Sequence, residues 1–260
     1  MKCRICGSDS ALFGEARVLD RHPAQYYRCE TCGFMQVGDP YWLPEAYSDA
    51  ITRSDIGLLG RNIQMSAYSR RLLRTCLDPN GKFIDYGGGY GVFVRLMRDS
   101  GFDFYRYDPL CTNMFAEGFD AGQGQTYALL TAWEVFEHLQ DPLQEIEKMA
   151  SFSRNLLFST VLLPQPPRPL DDWWYYGLEH GQHISFYTEE ALRRIAGRFG
   201  LRLHYSSGMI HFMGDAALNP LLVRVALDDR FRWLRRLLAK PAPPSLLESD
   251  FHSVTGKHIE

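Results

Sequence analysis

The sequence has no apolar run approaching the ~20 residues that a membrane-spanning helix needs. The stretch from Leu156 to Leu163 is far too short and ends at Pro164. The start, Met-Lys-Cys-Arg-Ile-Cys, also lacks the apolar segment of a secretory signal. A soluble, cytoplasmic protein without a transmembrane segment is therefore expected. Positive charge is not in excess either: 28 Lys and Arg stand against 31 Asp and Glu, a formal net charge of −3. No overall positive field is available for a nucleic-acid backbone, and nucleic acid is disfavoured as a partner. Internal repeats are missing, which excludes a solenoid. With 45% apolar and 23% charged residues, wholesale disorder is excluded as well. At ~150 residues per domain, 260 residues suggest one α/β-sized unit with an appendage.

Four of the six cysteines fall in two identical frames, Cys3-Arg-Ile-Cys6-Gly7 and Cys29-Glu-Thr-Cys32-Gly33. Two thiolates at this spacing can point into one side of a tight turn. The glycine that follows permits the positive φ that lets backbone amides face the sulfurs. Two such turns supply the four sulfurs of a structural, tetrahedral Zn²⁺ site, a zinc ribbon. Disulfides are the alternative, and a cytosolic setting disfavours them. So short a segment buries little core, and zinc can supply ~10–16 kcal/mol of apparent folding free energy. Charges from Met1 to Cys32 nearly balance, so the ribbon reads as a docking or substrate-shaping module rather than an RNA grip. Cys76 and Cys111 stand alone and read as small buried hydrophobes.

The remainder alternates strands and helices. Helical spacing runs from Ile56 to Leu77 and stops at Asp78-Pro-Asn-Gly81. Lys82–Asp85 reads as a strand entering the cluster Gly87-Gly88-Gly89-Tyr90-Gly91, and Val92–Ser100 as an amphipathic helix. Strands are expected at Phe104–Tyr107, Ala128–Trp133, Leu156–Leu163, Leu201–Tyr205 and Met209–Met213. Helices are expected from about Pro142 to Ala150, after Thr188 as N-cap, and from Asn219-Pro220. Strand, glycine turn, helix, strand, acid opens an α/β, Rossmann-like, doubly wound and mostly parallel sheet. The expected organisation is a zinc ribbon at 1–45, a helical lead-in at 46–80, the core at 81–215 and a helical C-terminal arm at 216–260.

The frame of the glycines narrows the ligand. A dinucleotide fingerprint fails, because a start at Gly87 and Gly89 needs glycine where Val92 stands. What fits is Asp85-x-Gly87-x-Gly89-x-Gly91, which resembles the acidic frame of class I S-adenosylmethionine-dependent methyltransferases. Three further blocks resemble that family, ubiquinone-type O-methyltransferases among its members, and follow in its order: Glu134-Val-Phe-Glu137-His138-Leu-Gln-Asp141-Pro142, Phe158-Ser-Thr160, and His183-Ile-Ser-Phe186-Tyr187-Thr188. The likeness covers roughly residues 80–214. It implies that Asp85, Gly87, Gly88, Gly89 and Gly91 bind S-adenosylmethionine and that Asp108 accepts its ribose hydroxyls. One departure is plain: only 25 residues separate Asp108 from Glu134, and no clear third-strand acid faces the adenine, Phe119-Asp120 being the nearest candidate.

For the chemistry, the spacing i, i+3, i+4 puts Glu134, Glu137 and His138 on one helix face. With His183 they resemble the metal site of small-RNA terminal 2′-O-methyltransferases, which implies a catalytic Mg²⁺ or Mn²⁺. The alternative is that Glu134 contacts cofactor or substrate while His138 caps or packs. His183 is the expected general base, an imidazole suited to taking a hydroxyl proton near neutrality; the competing role is to hold its loop, and His180 is the weaker candidate. Trp173-Trp174-Tyr175-Tyr176 suits a polar ring such as a sugar, or packs on the core. A basic amphipathic stretch, Arg224 to Lys240, reads as an outer helix in preference to a peripheral membrane contact. Paired cysteine knuckles before such a core resemble sugar C-methyltransferases and a ribosomal-RNA guanine methyltransferase. The acidic balance tilts the expected acceptor to a small molecule, a sugar or nucleotide-sugar. An RNA methyltransferase, or an inactive zinc-ribbon adaptor, is the runner-up.

Overall fold

The computed structural model describes residues 1–47, 56–122 and 124–259. The two cysteine turns bracket an antiparallel pair, β1 (Ser10–Val18) and β2 (His22–Cys29), and a short β3 (Met35–Val37) extends it from β2. Gly33 has φ 72°, and a Cβ there would stand 2.8 Å from Thr188 Cγ2. Glycine therefore serves both the turn and the close approach of the core. A short α1 (Leu43–Ala46) follows, and α2 (Leu58–Cys76) covers most of the expected helix.

The core then alternates: β4 (Lys82–Tyr86), α3 (Val92–Asp99), β5 (Asp103–Tyr107), β6 (Leu129–Ala132), α4 (Pro142–Phe152) and β7 (Leu156–Ser159). After a long loop come β8 (Ser185–Phe186), α5 (Glu189–Arg198), β9 (Arg202–Ser207) and β10 (Ile210–Gly214). The arm consists of α6 (Pro220–Leu227), α7 (Arg232–Leu238) and α8 (Leu247–Thr255). Side-chain caps begin α4, α5 and α6: Asp141 accepts from Gln144 N–H, Thr188 from Ala191 N–H and Asn219 from Leu221 N–H.

Six strands form the main sheet in the order β5-β4-β6-β7-β10-β9. The first four are parallel, and β10 runs antiparallel to both neighbours. This is the mostly parallel, Rossmann-like sheet that the alternating pattern predicts. Phe83, Leu129, Leu157 and Phe212 pack on one face with Leu72, Leu73 and Met97. Ile84, Leu130, Leu156 and Met213 pack on the other with Ile146, Met149 and Ile195. Burial on both faces explains why these strands are continuous apolar runs. Strand order reverses around β4, which opens a crevice at the carboxyl ends of β4, β5 and β6.

The ribbon is not a bead on a string. β8 pairs with β3, so its sheet runs β1-β2-β3-β8 and crosses the boundary expected at residue 45. Trp173, Tyr175 and Tyr176 fill the core beneath that sheet with Tyr26, Trp42 and Phe186, and Trp174 alone of the four aromatics is exposed. β7 is shorter than the strand expected at Leu156–Leu163. Its chain leaves the sheet after Ser159, where Thr160 N–H bonds to Met209 O and Leu163 N–H to Tyr187 O. A third strand beyond β5 is reduced to one bridge, Arg106 with Asp120. In the arm, Arg235 is buried and donates to the carbonyls of Val225 and Ala226, whereas Trp233 and Leu237 face solvent. No helix among the described residues is long and apolar enough to cross a membrane.

Candidate functional site

A cavity of about 390 Å³ opens at the carboxyl ends of β4, β5 and β6, with α2 along one wall. Its first end is built by the glycine turn. Gly87 and Gly88 donate their N–H groups to Tyr107 O, and Gly91 N–H closes back on Gly88 O. Gly87, Gly89 and Gly91 all have positive φ, at 71°, 53° and 89°.

Asp85 sits at the start of this turn, opposite Thr131 of β6. The Thr131 hydroxyl donates to its carboxylate at 2.6 Å. Burial pushes Asp85 up to about 7, since that single hydrogen bond offsets little of the lost hydration. Asp108, at the end of β5, accepts from the backbone N–H groups of Gly89, Leu110 and Cys111 at 2.8–2.9 Å. Its carboxylate thus ties the glycine turn to the next loop while still lining the cavity.

Arg106 was not singled out by the sequence, yet its buried guanidinium holds the whole end together. Nε donates to Gly89 O at 2.6 Å, Nη1 to Asp120 at 2.8 Å, and Nη2 to Cys111 O. Asp120 is thereby engaged by Arg106 and by Asn113 Nδ2 at 3.1 Å, away from the cavity lining. An arginine inside a strand carries no motif, so only the tertiary contacts reveal this role.

The other end gathers Glu134, His138, His180 and His183, with the exposed Trp174 at its rim. The expectation of Glu134, Glu137 and His138 on one helix face is corrected here. Glu134 lies in the left-handed region at φ 52°, and only Phe136–His138 form a single 3₁₀ turn. The cause is Ser159: its hydroxyl accepts from Glu134 N–H at 2.7 Å and donates to the Glu134 carboxylate at 2.6 Å. Glu137, spaced three residues on, is completely buried, with a carboxylate oxygen within 4.8 Å of a ring nitrogen of His138 and of His183. The hydroxyls of Tyr175 and Thr160 are the groups that favour its charged form, although neither meets its carboxylate oxygens in well-directed hydrogen-bond geometry. The nearby hydroxyls of Thr160 and Tyr175 lie 3.2 Å from each other. Burial, reinforced by the Glu134 carboxylate, pushes Glu137 up to about 8.

Backbone bonds bring the two histidine segments together. Ile184 N–H donates to Glu137 O at 2.9 Å and Ser185 Oγ to Leu139 O at 2.7 Å. The rings of His138 and His183 then meet edge to face at 5.0 Å. His138 Nδ1 lies 3.1 Å from Gln182 O, with the Tyr47 hydroxyl 3.0 Å away; His183 Nδ1 lies 2.7 Å from Tyr175 O. A carbonyl only accepts, so each Nδ1 carries the hydrogen and each Nε2 keeps its lone pair. Burial lowers His138 to about 4 and, aided by the neighbouring His138, holds His183 well below the usual imidazole range. Burial thus favours the neutral form of both rings.

In the ribbon, Cys3 and Cys32 sulfurs are 3.6 Å apart and Cys6 and Cys29 sulfurs 3.4 Å apart. All four lie within 4.8 Å of one another. Sulfurs on a tetrahedral ion with Zn–S ~2.3 Å are ~3.8 Å apart, so the donor set fits zinc. Ile5 N–H approaches Cys3 Sγ at 3.4 Å, as the knuckle geometry anticipates.

Residues 61–206 match the family model described as a methyltransferase domain. Among solved structures, the chain is similar to an O-methyltransferase family 2 protein from Planctomyces limnophilus in complex with apigenin. That likeness has 17% identity and a TM-score of 0.47, over 68% of this chain and 66% of the other. CalO1, a methyltransferase in calicheamicin biosynthesis solved with S-adenosylhomocysteine, gives 16% and 0.45; 66% of this chain spans only 61% of CalO1. Magnesium protoporphyrin IX methyltransferase from Synechocystis, also with S-adenosylhomocysteine, gives 17% and 0.45 over 68% of this chain and 94% of that one. No curated protein matches the sequence.

Proposed function

The chain belongs to the methyltransferase domain family, and from that premise we propose that it methylates a hydroxyl, or a carbon, of a small polar acceptor using S-adenosylmethionine. A sugar or nucleotide-sugar is the acceptor class we favour. The observation that carries this reading is the division of one cavity: Asp85, the glycine turn and Asp108 at one end, Glu134, His138, His180 and His183 at the other.

Asp85 would meet the ammonium of the methionine moiety, and Asp108 the ribose hydroxyls. The bare backbone of Gly87, Gly88, Gly89 and Gly91 admits a bulky ligand without phosphate. When bound, the cofactor supplies an electrophilic methyl group on a sulfonium. The chain's part is to orient the acceptor, exclude water and take its proton. His183 is placed for the last task, because Tyr175 O fixes its tautomer and leaves Nε2 free to accept. His138 and Glu134 complete the acceptor wall, and Trp174 offers one aromatic face at the rim for a ring. Cys3, Cys6, Cys29 and Cys32 would hold a structural Zn²⁺ that rigidifies the ribbon and, through β3 and β8, the segment after His183.

Isothermal titration with S-adenosylhomocysteine tests the reading. Binding with one site per chain is expected; no binding by folded, zinc-replete protein would overturn it.

A further inference from the structure

The C-terminal arm carries charge and apolar surface that the proposed transfer does not use. Between α2 and α7 a groove of about 600 Å³ is lined by Arg70, Arg71, Arg74, Arg235 and Arg236, with Asp99 as the acid among its lining residues. Asp99 is taken up by Arg95 at 2.8 Å, and Asp229, outside the lining, is shared by Arg71 and Arg235. Arg70 and Arg74 donate to neutral oxygens, Ser66 O and Ser100 Oγ for the first and Lys240 O for the second. The groove therefore keeps an excess of positive charge in a molecule whose net charge is −3.

α7 packs on the domain by one side only. Arg235 is turned in and donates to Val225 O and Ala226 O. On the other side Trp233 and Leu237 are 65% and 75% exposed, and their i, i+4 spacing sets them on one face. Arg232 and Arg236, both exposed, repeat that spacing beside them. Leu221, at the start of the adjoining α6, is exposed as well. Large apolar side chains interleaved with arginines suit the boundary between lipid headgroups and acyl chains. A tryptophan sits at that depth, leucines enter the acyl edge, and guanidinium groups reach phosphates in pairs of hydrogen bonds.

We propose that this surface docks the protein on an anionic phospholipid bilayer, with headgroup phosphates in the arginine groove and Trp233 and Leu237 entering the interface. Charge complementarity supplies the attraction, and the exposed apolar pair supplies burial that a charged patch alone does not. An RNA backbone would satisfy the arginines and can stack a base on Trp233, but it offers nothing to Leu237 and Leu221. The groove takes Ala67, Arg70, Arg71 and Arg74 from α2, whereas the acceptor cavity takes Leu58, Arg61, Asn62 and Met65 from its first half. Docking surface and cavity are thus separate, and the proposal does not rest on the methyltransferase reading.

The test is co-sedimentation of the full-length protein with vesicles of phosphatidylcholine alone and of phosphatidylcholine mixed with phosphatidylglycerol. Binding to the anionic vesicles is expected, falling as salt is raised, with little binding to phosphatidylcholine alone. Arg236→Glu, a change of two charges at the surface, should weaken binding about tenfold or more. Trp233→Ala combined with Leu237→Ala should weaken it to a similar degree, by about tenfold. All four positions of the exposed α7 face are solvent-facing, so the melting temperatures of these variants should match the wild type, which separates lost docking from lost folding. No binding to anionic vesicles, equal binding to both compositions, or unchanged binding in either variant overturns the proposal. So does tighter binding to polyuridylate than to the anionic vesicles, which would assign the arginines to nucleic acid instead.

Discussion

The Ser159 hydroxyl and Glu134 form a closed pair: Ser159 accepts the Glu134 amide hydrogen at 2.7 Å and returns its own to the Glu134 carboxylate at 2.6 Å. That pair holds a non-glycine residue at φ 52° directly after β6. Conformations of this kind cost ~1–3 kcal/mol and persist only where surroundings impose them.

Ser159→Ala removes both bonds and leaves the Glu134 amide unpartnered. A loss of about 1–3 kcal/mol in urea unfolding is expected. S-adenosylhomocysteine affinity should stay within a few-fold, since Ser159 does not touch the glycine turn, while turnover falls as Glu134 drifts. Unchanged stability and turnover together would show that the pair is not what holds Glu134.

The pH dependence of cofactor affinity follows from Asp85. Burial places it near 7, so below that pH the free protein carries a neutral acid, which attracts an ammonium weakly. Affinity for S-adenosylhomocysteine should therefore rise with pH through about 7, approaching tenfold per unit on the acid side if only the ionised form binds. Asp85→Asn should bind more weakly and lose this dependence. Titrations at a series of pH values decide it, and a flat wild-type profile from 6 to 8 (roughly one unit either side of 7) would contradict the assignment.

Gly89, Asp108 and His183 separate the two halves of the cavity. Gly89 has φ 53°, so Gly89→Val strains the backbone and crowds the turn, and affinity for S-adenosylhomocysteine should collapse. Asp108→Ala frees three backbone donors and removes the ribose acceptor; with charge-assisted bonds worth ~1.5–3 kcal/mol each, affinity should fall tenfold or more. His183→Ala should keep affinity within a few-fold and lower turnover by about 10²–10⁴. Near-normal turnover of His183→Ala would reduce that histidine to holding its loop.

Zinc removal should reach beyond the ribbon. Thr188, the N-cap of α5, donates its hydroxyl to Cys32 O, and β8 pairs with β3. Protein purified without chelator is expected to hold about one zinc per chain at the four cysteines. Cys29→Ser should lose it, lower the melting temperature of the core and weaken turnover through the displaced His183 segment. Less than half an equivalent in the wild type, or a core indifferent to Cys29→Ser, counts against the site.

Local pattern settles what local forces settle. The segments at β4, β6 and β7 read correctly as strands, and Thr188 and Asn219 read correctly as helix caps, because both depend on near neighbours in the chain. Gly7 and Gly33 likewise announced their turns. The spacing of Glu134, Glu137 and His138 misled, because a helix was assumed where Ser159, 25 residues downstream of Glu134, bonds the backbone into another shape. Arg106 gave no signal at all, since its partners Gly89, Cys111 and Asp120 reach it only once β4 and β5 have paired.

The sequence by itself determined the alternation of strands and helices, the positions of the glycine turn and its two acids, and the four sulfurs of the ribbon. Each is written in residues close together or in residue types with few other uses. Tertiary structure alone decided that the ribbon sheet is finished by β8, and that three of four adjacent aromatics fill a core rather than a rim. It also decided that Glu137 turns inward towards two histidines, one of them 46 residues away. Those outcomes depend on which surfaces meet when the sheets form, and no spacing along a chain encodes that meeting.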